Sequence, residues 1–281
     1  MPQEVPNDRF GIGWRPDLAA AILRNLDRID VLEVIADDYF GAPSRIVKSL
    51  ASLSAEHPVV LHAVGMGMAS TIRTGRSWFN HMARLVDRVK PESWSEHLAF
   101  VRAGGVEIGH LAAPPRNANS LEGTLANLEA ATRATGMRPA MENIATLVDP
   151  PGSSMTEAEW LSRVALDSGG PLLLDLHNVH ANAVNCGFDA MTFLRQVPLE
   201  RVSTIHLSGG RWIGTRILDD HLHDVPDPVY DMLRFVAGRA PRPLTVLLER
   251  DGKYPPIEHL LAQLDRARQA VMKGRREHAG I

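Results

Sequence analysis

The chain has 281 residues, 30 of them Lys or Arg and 33 Asp or Glu, for a formal charge of −3. A hydrophobic share of 44% with 22% charged residues excludes general disorder, and the near balance of charge argues against nucleic-acid or membrane-surface partners, which call for a basic excess. A single cysteine, Cys186, excludes an internal disulfide framework and a thiolate metal cluster.

Residues 1–10 are polar and proline-broken, and the chain has no run of about 18 apolar residues, so the expectation is a cytoplasmic chain without a membrane anchor. Short apolar runs then alternate with amphipathic segments. Strands are predicted at 10–14, 31–36, 59–64, 94–100, 139–143, 171–176, 203–207 and 244–249. These runs are near-continuously apolar rather than alternating, as parallel strands covered on both faces require. Leu18, Ile22, Leu26 and Ile29 form one helical stripe, and Phe79, Met82, Leu85, Val86 and Val89 a second. Thr156 and Glu159 have capping-box spacing ahead of Trp160 and Leu161. Ile257, Leu260, Leu261, Leu264 and Val271 make a last helical face, beyond which 273–281 is expected to fray. Eight strands alternating with helices predict one α/β domain over 1–281, a (β/α)8 TIM barrel. A doubly wound sheet is disfavoured, because no Gly-rich phosphate loop follows the first strand.

In such a barrel the C-terminal strand ends form one rim. At or near those ends stand His62, His97, Glu142, Asp175 followed by Asn178, His206 and Glu249, and the loop after the seventh strand carries Asp219-Asp220-His221. An ionised carboxylate in an apolar run costs several kcal/mol, and neighbouring carboxylates raise one another's pKa; a bound cation removes both penalties. The histidines together with Glu142, Asp175, Asp219 and Glu249 exceed the roughly four to six ligands of one ion, so two or three ions fit better. Imidazole and carboxylate without thiolate suit iron, manganese or zinc. Singly, each histidine reads as a hydrogen-bonded core residue and each acid as a helix cap; their joint placement is what points to metal. His177, His180 and His223 lie close to these positions in sequence, and Cys186, placed in the loop after the sixth strand, reads as inert.

Several motifs follow in order along the chain: Gly11-Ile12-Gly13-Trp14-Arg15-Pro16, Leu61-His62-Ala63-Val64-Gly65, Ser95-Glu96-His97-Leu98-Ala99, Glu142-Asn143, Leu173-Leu174-Asp175-Leu176-His177-Asn178-Val179, Ile205-His206-Leu207-Ser208-Gly209, Asp219-Asp220-His221 and Glu249-Arg250-Asp251. Together they resemble the multinuclear non-haem iron-dependent oxidative enzymes, the family of the methanobactin-maturing oxidase, over nearly the whole chain. The resemblance implies a xylose-isomerase-like TIM barrel holding two or three iron ions (Fe2+/Fe3+), with O2 as cosubstrate. It also implies a ribosomally made precursor peptide as substrate, modified at cysteine, and a small leader-binding partner protein. Carried across by position, the metal ligands are His62, His97, Glu142, Asp175, Asn178, His206, Asp219, His221 and Glu249. Asp251 is then a candidate base just outside the ligand set, with pairing to Arg250 as its alternative role. Glu33, Asp37, Asn143 and His177 are expected to orient ligands or contact substrate. The chain departs from the commonest family pattern at His177, Leu222, Asp224 and in 101–115, changes that leave the ligands intact and bear on the substrate. The competing readings are a divalent-metal sugar isomerase or phosphoesterase on the same barrel, and a non-catalytic metal-binding protein.

Overall fold

In a computed structural model, which describes residues 7–278, all eight apolar runs form strands. In chain order the elements begin β1 (Arg9–Gly13), α1 (Ala19–Leu23), β2 (Val31–Ile35), α2 (Ser44–Glu56), β3 (Val59–Ala63), α3 (Arg76–Val89) and β4 (Ser93–His97). They continue with β5 (Phe100–Ala103), β6 (Val106–Ala112), α4 (Ala118–Thr135), β7 (Ala140–Glu142), α5 (Glu157–Ser168), β8 (Leu172–Asp175), α6 (Leu176–Cys186) and α7 (Ala190–Gln196). The last are β9 (Val202–Leu207), β10 (Arg211–Ile213), β11 (Arg216–Leu218), α8 (Asp227–Ala237), β12 (Thr245–Leu248) and α9 (Ile257–His278). Eight parallel strands take the order β1-β12-β9-β8-β7-β4-β3-β2 of a closed barrel, which is the expected architecture. The pairs β5–β6 and β10–β11 are separate hairpins.

The chain divides into two compact units, one made of the residues to Asp30, Ala145–Val148 and those from Leu172 onward, the other of Val31–Ile144 and Asp149–Pro171. In the second, parallel register sets Ile35 beside His62, His62 beside Ser95 and His97 beside Glu142. Val31, Val34, Leu61, Trp94 and Met141 are buried there, and α3 turns Met82, Leu85, Val86 and Val89 inward, while Phe79, also part of the stripe read from sequence, is only half-buried. Helix α5 starts on the predicted capping box: Thr156 Oγ1 accepts from Glu159 N, and the Glu159 carboxylate accepts from Thr156 N. In the first unit the ladder sets Asp175 beside His206 and His206 beside Leu247.

Three expectations are corrected. The stripe from Leu18 to Ile29 is not one helix but two 3-10 turns, Pro16–Leu18 and Leu26–Arg28, flanking the short α1. Asn25 interrupts it with φ −128°, its side chain donating back to Ala21 O, the competition with the helix ladder that asparagine brings. The fourth run ends as a barrel strand at His97, and Phe100 opens the first hairpin, which turns at Gly104 and Gly105 with φ of +58° and +81°. Cys186 is the exposed last residue of α6, not part of a loop. Helix α9 runs to His278, with Arg275 in a buried ion pair with Asp8 at 2.6 Å and Arg234 paired with Glu277. The last three positions of the tail expected to fray, 279–281, lie outside the described residues, as do 1–6 of the N-terminal stretch. Among the described residues no helix is long and apolar enough to cross a membrane.

Candidate metal centre

In the unit built on β2–β7, three strand ends bring His62, His97 and Glu142 together. Nε2 of His62 and Nε2 of His97 each lie 3.4 Å from the same Glu142 Oε2, and one ligand atom from each residue falls within 4.8 Å of the others. The two imidazoles meet edge to face at 4.6 Å between centroids. His62 and Glu142 are buried and His97 nearly so. Ser95 Oγ stands 2.7 Å from His62 Nδ1; with the Nδ1 proton donated to that hydroxyl, the Nε2 lone pair faces Glu142. Buried Glu96 accepts hydrogen bonds from Met66 N and His97 N, so it fixes the backbone around His97 and the loop beyond β3. Burial pushes its carboxyl up to about 7, against the pull of His97.

Asp37 accepts from Val64 N at 2.9 Å and from Trp78 Nε1 at 3.2 Å, so it shapes the turn just after His62. A Cβ on Gly65 would sit 2.5 Å from Asp37 Oδ1, so a larger residue there would displace the carboxylate that holds the turn. Glu33 on β2 and Asn143 just past β7 are both buried.

In the other unit Asp175, His206 and Glu249, all buried, also offer ligand atoms within 4.8 Å of one another, with His206 Nδ1 3.0 Å from Glu249 Oε2. Asp175 caps α6 as well, since its Oδ1 accepts from the backbone N–H of Asn178 at 2.6 Å. Asn178 is buried in the first turn of that helix.

The loop after β11 extends the group. Asp219 Oδ1 lies 2.9 Å from His177 Nδ1 and 3.0 Å from His221 Nε2, while His221 Nδ1 lies 3.0 Å from Asp251 Oδ2 and 3.6 Å from Glu249 Oε2. His177 is buried on α6 and orients Asp219. Asp251 does not pair with Arg250, which instead donates to Gly252 O and Lys253 O and lies 3.4 Å from Asp224. Its cationic partner is Arg15, through Nε at 2.9 Å and Nη2 at 2.6 Å. His221 has φ +53°, a left-handed backbone that a residue with a Cβ adopts only when its surroundings hold it there. Burial drags the His221 pKa down, but the charges of Glu249 and Asp219 and the bonds to Asp219 and Asp251 hold it well above the usual imidazole range. Asp219 is the mirror case: burial pushes it up, and His221 and His177 hold it well below the usual carboxylate range. His223 pairs with Asp220 at 3.0 Å, and burial lowers the pKa of His180.

In each unit, then, buried imidazole nitrogens point at carboxylate oxygens across 3.0–3.4 Å. That donor set suits a hard or borderline cation. Sequence reading assigned no role to Ser95, Glu96 or Arg15. All three lie inside the ordered motifs, but their partners are distant in sequence and only the fold brings them together.

A family model for RiPP precursor modification enzymes, MbnB/TglH/ChrH, matches residues 9–272. A UPF0276 protein of Streptomyces avermitilis is 35% identical over 271 residues, which is 94% of this chain but only 55% of that protein. A UPF0276 protein of Caulobacter vibrioides is 32% identical over 272 residues, 96% of this chain and 97% of that one. Among solved structures, a xylose isomerase domain containing protein from Salmonella typhimurium has a TM-score of 0.62 at 14% identity, covering 96% of this chain and 99% of its own. Endonuclease IV from Thermus thermophilus has a TM-score of 0.56 at 18% identity, covering 92% of this chain and 99% of its own. At those identities the structures speak for the xylose-isomerase-like TIM barrel fold alone. The family model spans nearly every described residue and includes both groups of buried acids and imidazoles, so the chain belongs to the RiPP precursor modification enzymes of the MbnB/TglH/ChrH family.

Proposed function

We propose that the protein is an iron- and O2-dependent oxidase that modifies cysteine residues of a ribosomally made precursor peptide in the cytoplasm, with a small partner protein presenting the leader. The observation that carries the metal reading is the convergence of two imidazole Nε2 atoms on one buried Glu142 oxygen, supported by the second acid–imidazole group around His206. Two or three irons are held by His62, His97, Glu142, Asp175, Asn178, His206, Asp219, His221 and Glu249. Bound iron supplies oxygen activation and a Lewis acid that lowers the pKa of a substrate thiol.

The chain's own residues do the rest. Ser95 and His177 orient a ligand histidine and a ligand aspartate, and Asp37 fixes the turn behind His62. Burial of Glu142 in one unit, and of Asp175 and His206 in the other, strengthens the charge interactions that each makes. A divalent-metal sugar isomerase or phosphoesterase rests on fold likeness alone, and a non-catalytic metal protein on no particular contact.

The test is anaerobic loading with Fe2+, a metal count per chain, then O2 with each cysteine-bearing peptide encoded beside the gene. A mass change on a peptide cysteine is expected. Iron-loaded protein that leaves every such peptide unchanged, with or without neighbouring partner proteins, overturns the oxidase reading.

A further inference from the structure

We propose that Arg15, acting through Asp251, positions His221 so that its Nε2 is presented beside Asp219 to a metal ion; the inference rests on reading His221 as a ligand. The two oxygens of Asp251 have different tasks. Oδ1 accepts both Nε and Nη2 of Arg15, at 2.9 and 2.6 Å, and Oδ2 faces His221 Nδ1 at 3.0 Å. An imidazole that donates its Nδ1 proton to a carboxylate has its tautomer and ring plane fixed, and Nε2 is left for a cation. Nε2 of His221 lies 3.0 and 3.1 Å from the two Asp219 oxygens.

Arg15 is needed because the Asp251 side chain is 41% exposed and would otherwise be free to turn into solvent, whereas that of Arg15 is 11% exposed. The guanidinium has a reserved berth. A Cβ on Gly13 would come within 3.0 Å of its Nη1 and 3.3 Å of its Cζ, and Nη1 also donates to Trp14 O at 3.0 Å. The backbone repeats the tie, as Asp251 N donates to His221 O at 3.0 Å and so helps keep His221 at its positive φ. Residues 236 positions apart are thus joined to aim one ring, and a lysine at 15 would bring the charge without the fork.

The experiment titrates the metal-free full chain anaerobically with Co2+, reading ions bound per chain and the ligand-field spectrum, with thermal unfolding as the check on folding. Wild type, Arg15→Met, Arg15→Lys and Asp251→Asn are compared. Arg15→Met is expected to weaken one Co2+ equivalent about 10- to 100-fold and to shift its band, leaving the remaining uptake as in wild type. Arg15→Lys restores only part of that affinity, and Asp251→Asn reproduces the loss. Identical affinity, count and spectrum in wild type and folded Arg15→Met overturns the proposal, as does loss of every equivalent in a folded variant. Should Arg15→Met not fold, the same criteria apply to Asp251→Asn and Arg15→Lys. Wild type that takes up no Co2+ overturns the metal reading itself and this inference with it, an outcome distinct from the others.

Discussion

The hydroxyl of Ser95 stands behind the His62 ring, on the side away from Glu142. Removing it leaves strand β4 its backbone ladder and takes away only the partner that fixes the tautomer of His62. Ser95→Ala is therefore expected to weaken metal binding about 10- to 100-fold, measured against a competing chelator, with little change in unfolding midpoint. Among single residues, most of the acids and imidazoles were legible because they interrupt apolar runs at strand ends, and Asp219 and His221 because they share one short polar loop. Ser95 and Arg15 were not, since a hydroxyl on a strand and an arginine before a proline gain meaning only from partners distant in sequence. Asp175 belongs to both classes: helix cap and member of the buried acid group are compatible, because a carboxylate has two oxygens and α6 uses one.

At the scale of elements, helix starts and helix crossings have separate determinants. Of the two bonds in the capping box of α5, Thr156→Ala removes the one that Glu159 N donates to the hydroxyl and keeps the one that the backbone N of residue 156 donates to Glu159, and the expected loss is about 1 kcal/mol in urea unfolding. Gly274 sets the crossing of α8 and α9. Alanine there gains about 1 kcal/mol of helix propensity, but its Cβ would lie 2.1 Å from Arg234 O, backbone that cannot step aside. The overpacking cost of roughly 1–3 kcal/mol decides the sign, and Gly274→Ala is expected to lower the unfolding midpoint. Both hairpins escaped the sequence reading for one reason. Strand β6 is exposed along most of its length and β10 along all of it, so no burial selects an apolar period. Their turn glycines, the Gly104-Gly105 pair and Gly214, were the signal available.

For the molecule as a whole, the barrel was readable because parallel strands buried on two faces leave a continuous apolar signature that survives the loss of every boundary detail. Boundaries depended on contacts that sequence does not display, as with α9. The same burial makes the metal-free site electrostatically costly, since acids and imidazoles face each other in both units. Saturating Fe2+ at about 100 times its dissociation constant should add roughly 2.7 kcal/mol of stability for each ion bound, a rise of several degrees in the unfolding midpoint under anaerobic conditions, and a chelator should reverse it.

Asp8 accepts from Leu244 N at 2.7 Å and is gripped by Arg275, 267 positions further along the chain. It immediately precedes β1, whose Arg9 N donates to Leu244 O. A stop codon at position 275 would thus be felt at the opposite terminus as well: deuterium would enter the amide of Arg9 faster than in the full chain, a lesion far in sequence from its cause.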